Sequence, residues 1–398
     1  MVIRTALAAL AAGLLAATAS AQMVGVTDTT IKIGNTMPYS GPASAYGVIG
    51  QLETAYFNMV NRNGGIRGHK IDYISLDDGY SPPRTVEQVR KLVEQDHVAF
   101  TFNTLGTPTN SAIHRYMNAK KVPQLFVSTG ASKWGHPEKF PWTMGFQPTY
   151  NVEGEIYAKY ALDHVKDPKI VILYQNDDYG KDYRDGFLKG LGDKKDLVIK
   201  MLPYEVTDPT IDAQILELAA SGANVFFNVT TPKFAAQAIK KACEIDWKPL
   251  QLLNNVSTSV SSVLKPAGLE CSKGLITAQY LKDPTDPQWA EKNDPGFKEW
   301  LHFMQTEMPN ADIGDASYSF AYNVSTLLKI MLEQCEDWSR PGIMACAANL
   351  KDIQLPMILP GIKVNTSPTD FYPIQAEQLS RFDGTTWQLF GDIIDASK

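Results

Sequence analysis

The chain has 398 residues, with 37 basic and 43 acidic side chains and a net charge of −6. That balance argues against nucleic acid or an anionic membrane surface as a partner. At roughly 100–200 residues per domain the length fits about two domains, each long enough to bury its own core.

Residues 1–21 carry one charge, Arg4, then a run of small and apolar residues from Thr5 to Ala19 that ends in Ala19-Ser20-Ala21. This is the pattern of a cleaved export signal, too short and wrongly flanked for a membrane span. The mature chain is expected to start at Gln22 and to work in the periplasm. No later stretch of the sequence is long and apolar enough to cross a membrane.

From Thr30 the chain repeats a strand, a polar loop and a helix. Thr30 to Gly34 alternates as a strand and runs into a Gly- and Pro-rich loop, Met37 to Gly47. Val48 to Arg62 has apolar residues at helical spacing and stops at Asn63-Gly64-Gly65. Ile71 to Leu76 is the next strand, and Thr85 to Gln95 the next helix. An apolar run from Val98 then ends in Asn103-Thr104-Leu105-Gly106-Thr107. The helix Pro108 to Ala119 and the strand Pro123 to Val127 follow, and the strand ends in Ser128-Thr129-Gly130-Ala131-Ser132. Repeated strand-loop-helix units predict a parallel α/β sheet. In such sheets ligands sit beyond the carboxyl ends of the strands, where these two hydroxyl-rich loops would lie side by side.

Trp134 to Tyr150, rich in proline and aromatic residues, reads as a crossover between domains. The rhythm then restarts. Strands are predicted at 169–174, 197–204, 224–229 and 250–253, with helices at 183–191, 211–220 and 233–244 and a loop at 175–180. Leu275 to Tyr280 is a further strand, followed by the loop Lys282-Asp283-Pro284-Thr285-Asp286-Pro287. Helices follow at 296–308 and 315–334, and Asp383-Gly384 marks a hairpin near the end.

The four cysteines, Cys243, Cys271, Cys335 and Cys346, contain no C-x-x-C. In an exported chain an even count suggests disulfides. Three pairings are open, and Cys243–Cys271 with Cys335–Cys346, which closes two modest loops, is favoured. The six histidines show no metal spacing, and no cofactor motif occurs. Asp77-Asp78 and Asp177-Asp178 follow strands, and pairs of this kind more often hold turns and cap helices than act as acid and base. An exported hydrolase would need a nucleophile and base that the sequence does not offer, so the chain is not expected to be an enzyme.

The polar strand ends do suit a small anion. Thr107 precedes a helix whose first N–H groups have no intrahelical acceptor. Gly130 lets main chain approach a ligand closely, and Ser132 lies beside it. Hydrogen bonds to a carboxylate contribute about 1.5–3 kcal/mol each, and a helix end about 0.3–2 kcal/mol.

The segments Ile31-Lys32-Ile33-Gly34, Tyr39-Ser40-Gly41-Pro42 and Tyr46-Gly47 resemble the start of the branched-chain amino acid type periplasmic binding proteins, the solute receptors of ABC importers. Asn61-Arg62-Asn63-Gly64-Gly65-Ile66-Arg67-Gly68 followed by Asp77-Asp78 is similar to that family's N-x-x-G-G-I-x-G…D pattern, and Tyr174 to Gly180 resembles the opening of its second lobe. The resemblance implies a type I periplasmic binding fold, with two Rossmann-like lobes joined by three crossings. Lobe 1 would comprise 22–146 and 275–355, and lobe 2 would comprise 147–274 and 356–398. It implies a monomer that closes on a small carboxylate and delivers it to a membrane permease, with no cofactor. A sensor on the same fold, signalling rather than delivering, is the alternative.

By motif position the resemblance assigns the ligand carboxylate to Leu105, Gly106, Thr107, Ser128, Thr129, Gly130 and Ser132. It places Tyr39, Tyr46, Tyr150 and Tyr280 on the walls, Tyr179 as the closing residue of the second lobe, and Thr230, Asn254 and Asn255 toward an amino group or ligand tail. One feature departs from the family. Amino-acid receptors commonly carry an acid for the ligand ammonium in the loop after the strand at 250–253, and here that loop reads Asn254-Asn255-Val256-Ser257-Thr258. A buried ammonium without a carboxylate is costly. An amine-free aromatic or keto acid therefore competes with an amino acid as ligand.

Overall fold

The computed structural model describes residues 23–396, so the expected export signal lies outside the described residues. Two sheets organise the chain. The first is entirely parallel, in the order β2-β1-β3-β4-β5. Its strands are β1 (Thr30–Met37), β2 (Lys70–Asp77), β3 (Phe100–Phe102), β4 (Gln124–Val127) and β5 (Thr143–Gly145). Helices α1 (Gly47–Arg62), α2 (Pro82–Glu94) and α3 (Thr107–Lys120) connect them. A parallel sheet covered on both faces needs near-continuous apolar strands. β3 and β4 meet this demand with every residue buried.

The second sheet runs through β6 (Ile170–Gln175), β7 (Val198–Tyr204), β8 (Val225–Val229), β9 (Leu250–Leu253) and β10 (Ile276–Gln279). Antiparallel β11 (Ala376–Phe382), β12 (Trp387–Leu389) and β13 (Ile394–Asp395) complete one side. The parallel part has the order β7-β6-β8-β9-β10, the same reversal as in the first sheet. Helices α4 (Tyr150–His164), α5 (Asp178–Leu191), α6 (Asp212–Ala220) and α7 (Pro232–Glu244) pack on it. The edge strand β7 carries Pro203 and exposes Ile199 and Met201, as an edge tolerates and a central strand does not.

Two expected lobe boundaries need correction. The chain does not return to the first lobe at 275, because β10 pairs with β9 and β11 in the second sheet. It crosses after Gln279 and then supplies α8 (Pro295–Glu307), α9 (Ser317–Gln334) and α10 (Arg340–Ala347) to the first lobe. Nor does it leave at 356. Met357, Leu359, Ile362, Phe371 and Ile374 are buried in the first core, and the Leu359 amide donates to the Tyr280 carbonyl at 2.9 Å. The last crossing comes just before β11. α5 also starts earlier than its periodicity suggests, because the Asp177 side chain accepts from the Tyr179 and Gly180 amides at 3.0 and 3.2 Å. This cap places Tyr179 in the first helical turn.

The cysteines form two disulfides. Cys243–Cys271 ties the end of α7 to the segment before β10, and Cys335–Cys346 ties the end of α9 to α10. Their spans of 28 and 11 residues correspond to about 3.5 and about 3 kcal/mol of loop-closure stabilisation. Reduction with dithiothreitol should therefore lower the unfolding temperature clearly. An unchanged melting curve with all four thiols titratable would contradict this.

Two carboxyls are buried together in the second lobe. Glu153 accepts from Tyr157 Oη at 2.6 Å, Tyr183 Oη at 2.5 Å and the Asn255 amide at 2.7 Å, while neither oxygen of Glu377 has a partner among the described residues. Burial pushes both carboxyls up, Glu153 to about 7 from an ordinary 4.5. A carboxyl raised in the folded state holds its proton there after the unfolded chain has lost it, so stability falls as pH rises through that window. Glu377→Gln should make this fall shallower in melting curves recorded from pH 4 to 8. A steeper fall would contradict the assignment.

Candidate functional site

The order of each sheet reverses between β1 and β3 and between β6 and β8. The crevice beyond the strand ends at such a point is where open α/β sheets take ligands. The two crevices face each other and enclose a cavity of about 90 Å³. At about 10–15 Å³ per water-sized occupant, it has room for on the order of six to nine such groups.

The first-lobe end is built from the loops after β3 and β4. Leu105, Gly106, Thr107 and Ser128 line the cavity. Gly106 caps α3 at φ +98°, and a Cβ there would lie 2.5 Å from the Tyr80 ring, so only glycine fits. Asn103 and Phe126 are also left-handed, with φ of +49° and +50°. For a residue such as Phe126 this costs on the order of 1–3 kcal/mol, and strain of this kind clusters at ligand sites. It accompanies an irregular register between β4 and β5 and turns the chain so that Ser128 reaches the wall. The start of α3 thus meets the cavity with the Thr107 hydroxyl and its first amides.

The remaining first-lobe candidates support this end rather than line it. Thr129 Oγ1 lies 2.5 Å from Thr107 Oγ1 and fixes that hydroxyl. Gly130 accepts the Tyr150 amide through its carbonyl at 2.8 Å, and a Cβ on it would meet the Pro148 carbonyl at 2.3 Å. Its small size serves the first crossing. Ser132 turns to the second lobe, where its amide and hydroxyl donate to Asp182 at 2.9 and 2.7 Å. Tyr39 folds back over α1 and hydrogen-bonds Ser75 at 2.6 Å, away from the cavity. Asp77 and Asp78 hold the neighbouring turn through Ser40, Gly79, Tyr80 and Thr85.

The middle of the cavity is aromatic. Tyr46, Tyr80, Tyr150, Tyr179, Tyr280 and Phe320 line it. Burial raises the five tyrosines above the ordinary phenol value, so all stay neutral O–H donors. Tyr150 stacks on Tyr183 at 4.4 Å and meets Tyr179 edge-on at 5.3 Å. Direct contact of α4 with α5 sets this cluster, since a Cβ on Gly186 would sit 2.1 Å from the Asn151 carbonyl.

On the second-lobe side Asn255 lines the cavity, but Thr230 and Asn254 do not. Thr230 donates to Asn228 Oδ1 at 2.6 Å within the core. Asn254 donates to the Asn228 and Thr230 carbonyls and accepts Tyr179 Oη at 3.0 Å, which positions that tyrosine. Thr231, one residue on, takes the wall position as N-cap of α7. The pair Thr231-Pro232 repeats Thr107-Pro108 at a helix start, a signal that could have found it. Gln147, Gln279 and the stretch from Leu281 to Asp283 also escaped the sequence reading, because they lie at crossings with no periodicity.

Tyr46 Oη donates to the Val256 carbonyl at 2.9 Å, and Lys133 Nζ reaches Asp178 at 2.6 Å. Together with Ser132–Asp182 these contacts span the two lobes and hold them closed over the cavity.

A family model for periplasmic binding proteins matches residues 30–383. A Leu/Ile/Val-binding protein homolog of Brucella suis biovar 1 is 29% identical over 276 residues, 67% of this chain and 72% of that one. The fold matches a branched-chain amino acid ABC transporter structure from Thermus thermophilus with bound valine, at TM-score 0.82, 11% identity and coverage of 94% and 98%. It also matches a solute-binding protein of an ABC transporter from Rhodopseudomonas palustris BisB5 in complex with 3,4-dihydroxybenzoic acid, at TM-score 0.75, 16% identity and coverage of 92% and 98%.

Asp182 lies outside the cavity wall but bonds across the lobes, so Asp182→Ala should weaken binding of any cleft ligand through closure alone. Two charge-assisted hydrogen bonds correspond to about a tenfold loss or more. Unchanged affinity by calorimetry would remove this contact from the closure mechanism.

Proposed function

The chain belongs to the periplasmic binding protein family, of the branched-chain amino acid ABC type, whose members bind substrates and are not enzymes; on that premise we propose that it is the extracytoplasmic receptor of an ABC importer. It captures a small carboxylate between its lobes, closes by hinge motion and presents the cargo to a membrane permease. The observation that carries this reading is the first-lobe end of the cavity. There the Thr107 hydroxyl, fixed by Thr129, stands at the start of α3 beside Ser128.

Those groups suit an anion. Helix N-termini favour negative charge, and their amides need acceptors. The cavity volume suits a molecule the size of a small amino acid or a benzoate. Valine and 3,4-dihydroxybenzoic acid, bound by two proteins of the same fold, share a carboxylate and little else. The aromatic wall suits the apolar body of either class. The leader pattern of residues 1–21 supports a periplasmic location. Hinge closure around a ligand is the transition this architecture makes.

A thermal-shift screen tests the reading. Leucine, valine, benzoate and 4-methyl-2-oxopentanoate are compared at saturating concentration, and a true ligand at about a hundredfold over Kd stabilises by about 2.7 kcal/mol. Thr107→Val should weaken the best carboxylate by roughly ten- to a hundredfold while leaving the unligated melting temperature near that of the parent. Stabilisation by none of a broad carboxylate panel would contradict the proposal.

A further inference from the structure

The loop that commonly supplies an acid for a ligand ammonium contains none between Asn254 and Thr258. An acid reaches the cavity from elsewhere. Asp283 follows the second crossing, is 5% exposed and lies on the cavity wall. Its Oδ1 accepts from the Thr285 amide at 2.8 Å and from the Thr285 hydroxyl. Its Oδ2 is buried and has no hydrogen-bond partner among the described residues. A buried carboxylate oxygen left unpaired is expensive, and a cation at that place would satisfy it.

The wall has no free cation of its own. Lys282 is its single basic residue, and Nζ is taken by Asp294 Oδ1 at 2.5 Å and the Pro356 carbonyl at 2.7 Å. The other charges near Asp283 are acidic. Asp286 is engaged with Gln288, and Asp315 accepts the Ser317 amide at the start of α9. Burial first, and these two carboxylates next, push Asp283 up to about 6. A second net anion in the closed cavity would add to this repulsion, whereas an ammonium would relieve it. The tyrosine faces that line the cavity also attract cations.

We infer that Asp283 is the partner of a ligand ammonium, so that the ligand carries an amine as well as a carboxylate. This deepens the carboxylate reading above and rests on it. The missing acid has moved from the loop after β9 to the loop after β10. The ligand class is then a small zwitterion, and an amine-free aromatic or keto acid is disfavoured.

Calorimetry with matched probes tests the inference. Leucine is compared with 4-methylpentanoate, which lacks its amine, and with 3-methylbutylamine, which lacks its carboxylate. The pair 5-aminopentanoate and pentanoate repeats the comparison with the amine at the far end. The unmodified protein should bind one amine-bearing acid at least about tenfold tighter than its amine-free twin. Asp283→Asn should abolish that preference and leave the twin's affinity within about twofold, whereas Asp283→Glu should keep the preference. Equal or tighter binding of both amine-free twins by the unmodified protein would overturn the inference, as would equal weakening of both twins by Asp283→Asn. Binding of the amine alone, lost in Asp283→Asn, would support Asp283 and sink the carboxylate reading. Binding of no probe would overturn both.

Discussion

A carboxylate enclosed between two lobes loses its water, and the wall that encloses it here has no free basic side chain to replace that water. Everything at the first-lobe end answers to this constraint. The compensating groups have to be dipoles: a hydroxyl, the first amides of a helix and main chain at a strand end. Such groups work only when held in place. Thr129 holds the Thr107 hydroxyl, a left-handed glycine caps α3, and left-handed residues shape the ends of both strands. The local backbone cost is of the size that surrounding packing can sustain, since β3 and β4 are wholly buried.

The second lobe repeats the device with different consequences. A threonine followed by proline again starts a helix at the cavity, and Tyr179 is brought to the wall by the Asp177 cap and the Asn254 side chain. Its tyrosines are fixed by contact between α4 and α5 that only glycine permits. Beneath them Glu153 supports the Asn255 amide from within the core. The supporting layer is therefore as polar as the wall, and the cavity joins a rigid anion end to an aromatic middle.

Much of the first-lobe site was legible because small polar loops interrupt apolar strands, and both loops of the 98–132 stretch reach the cavity. The reading could not tell which hydroxyl faces in. Thr107 does, while Thr129 supports it and Ser132 turns to Asp182, because neighbouring residues in a loop after a strand point to different sides. The same one-residue ambiguity favoured Thr230 over Thr231. The strand at 276–279 shows a second limit. An apolar run says that it is buried, but not in which sheet, so its pairing with β9 needed the structure. Asp283 shows a third, since a Pro-rich crossing has no period that could aim its side chain.

The most direct test of the account is a crystal structure with the tightest-binding carboxylate of the panel. The ligand's carboxylate is predicted within hydrogen-bond distance of the Thr107 hydroxyl and of main chain in the Leu105–Thr107 and Ser128 loops, with the lobes closed by Tyr46–Val256 and Ser132–Asp182. A carboxylate bound at the opposite wall, or a ligand seated outside the interlobe cavity, would contradict it.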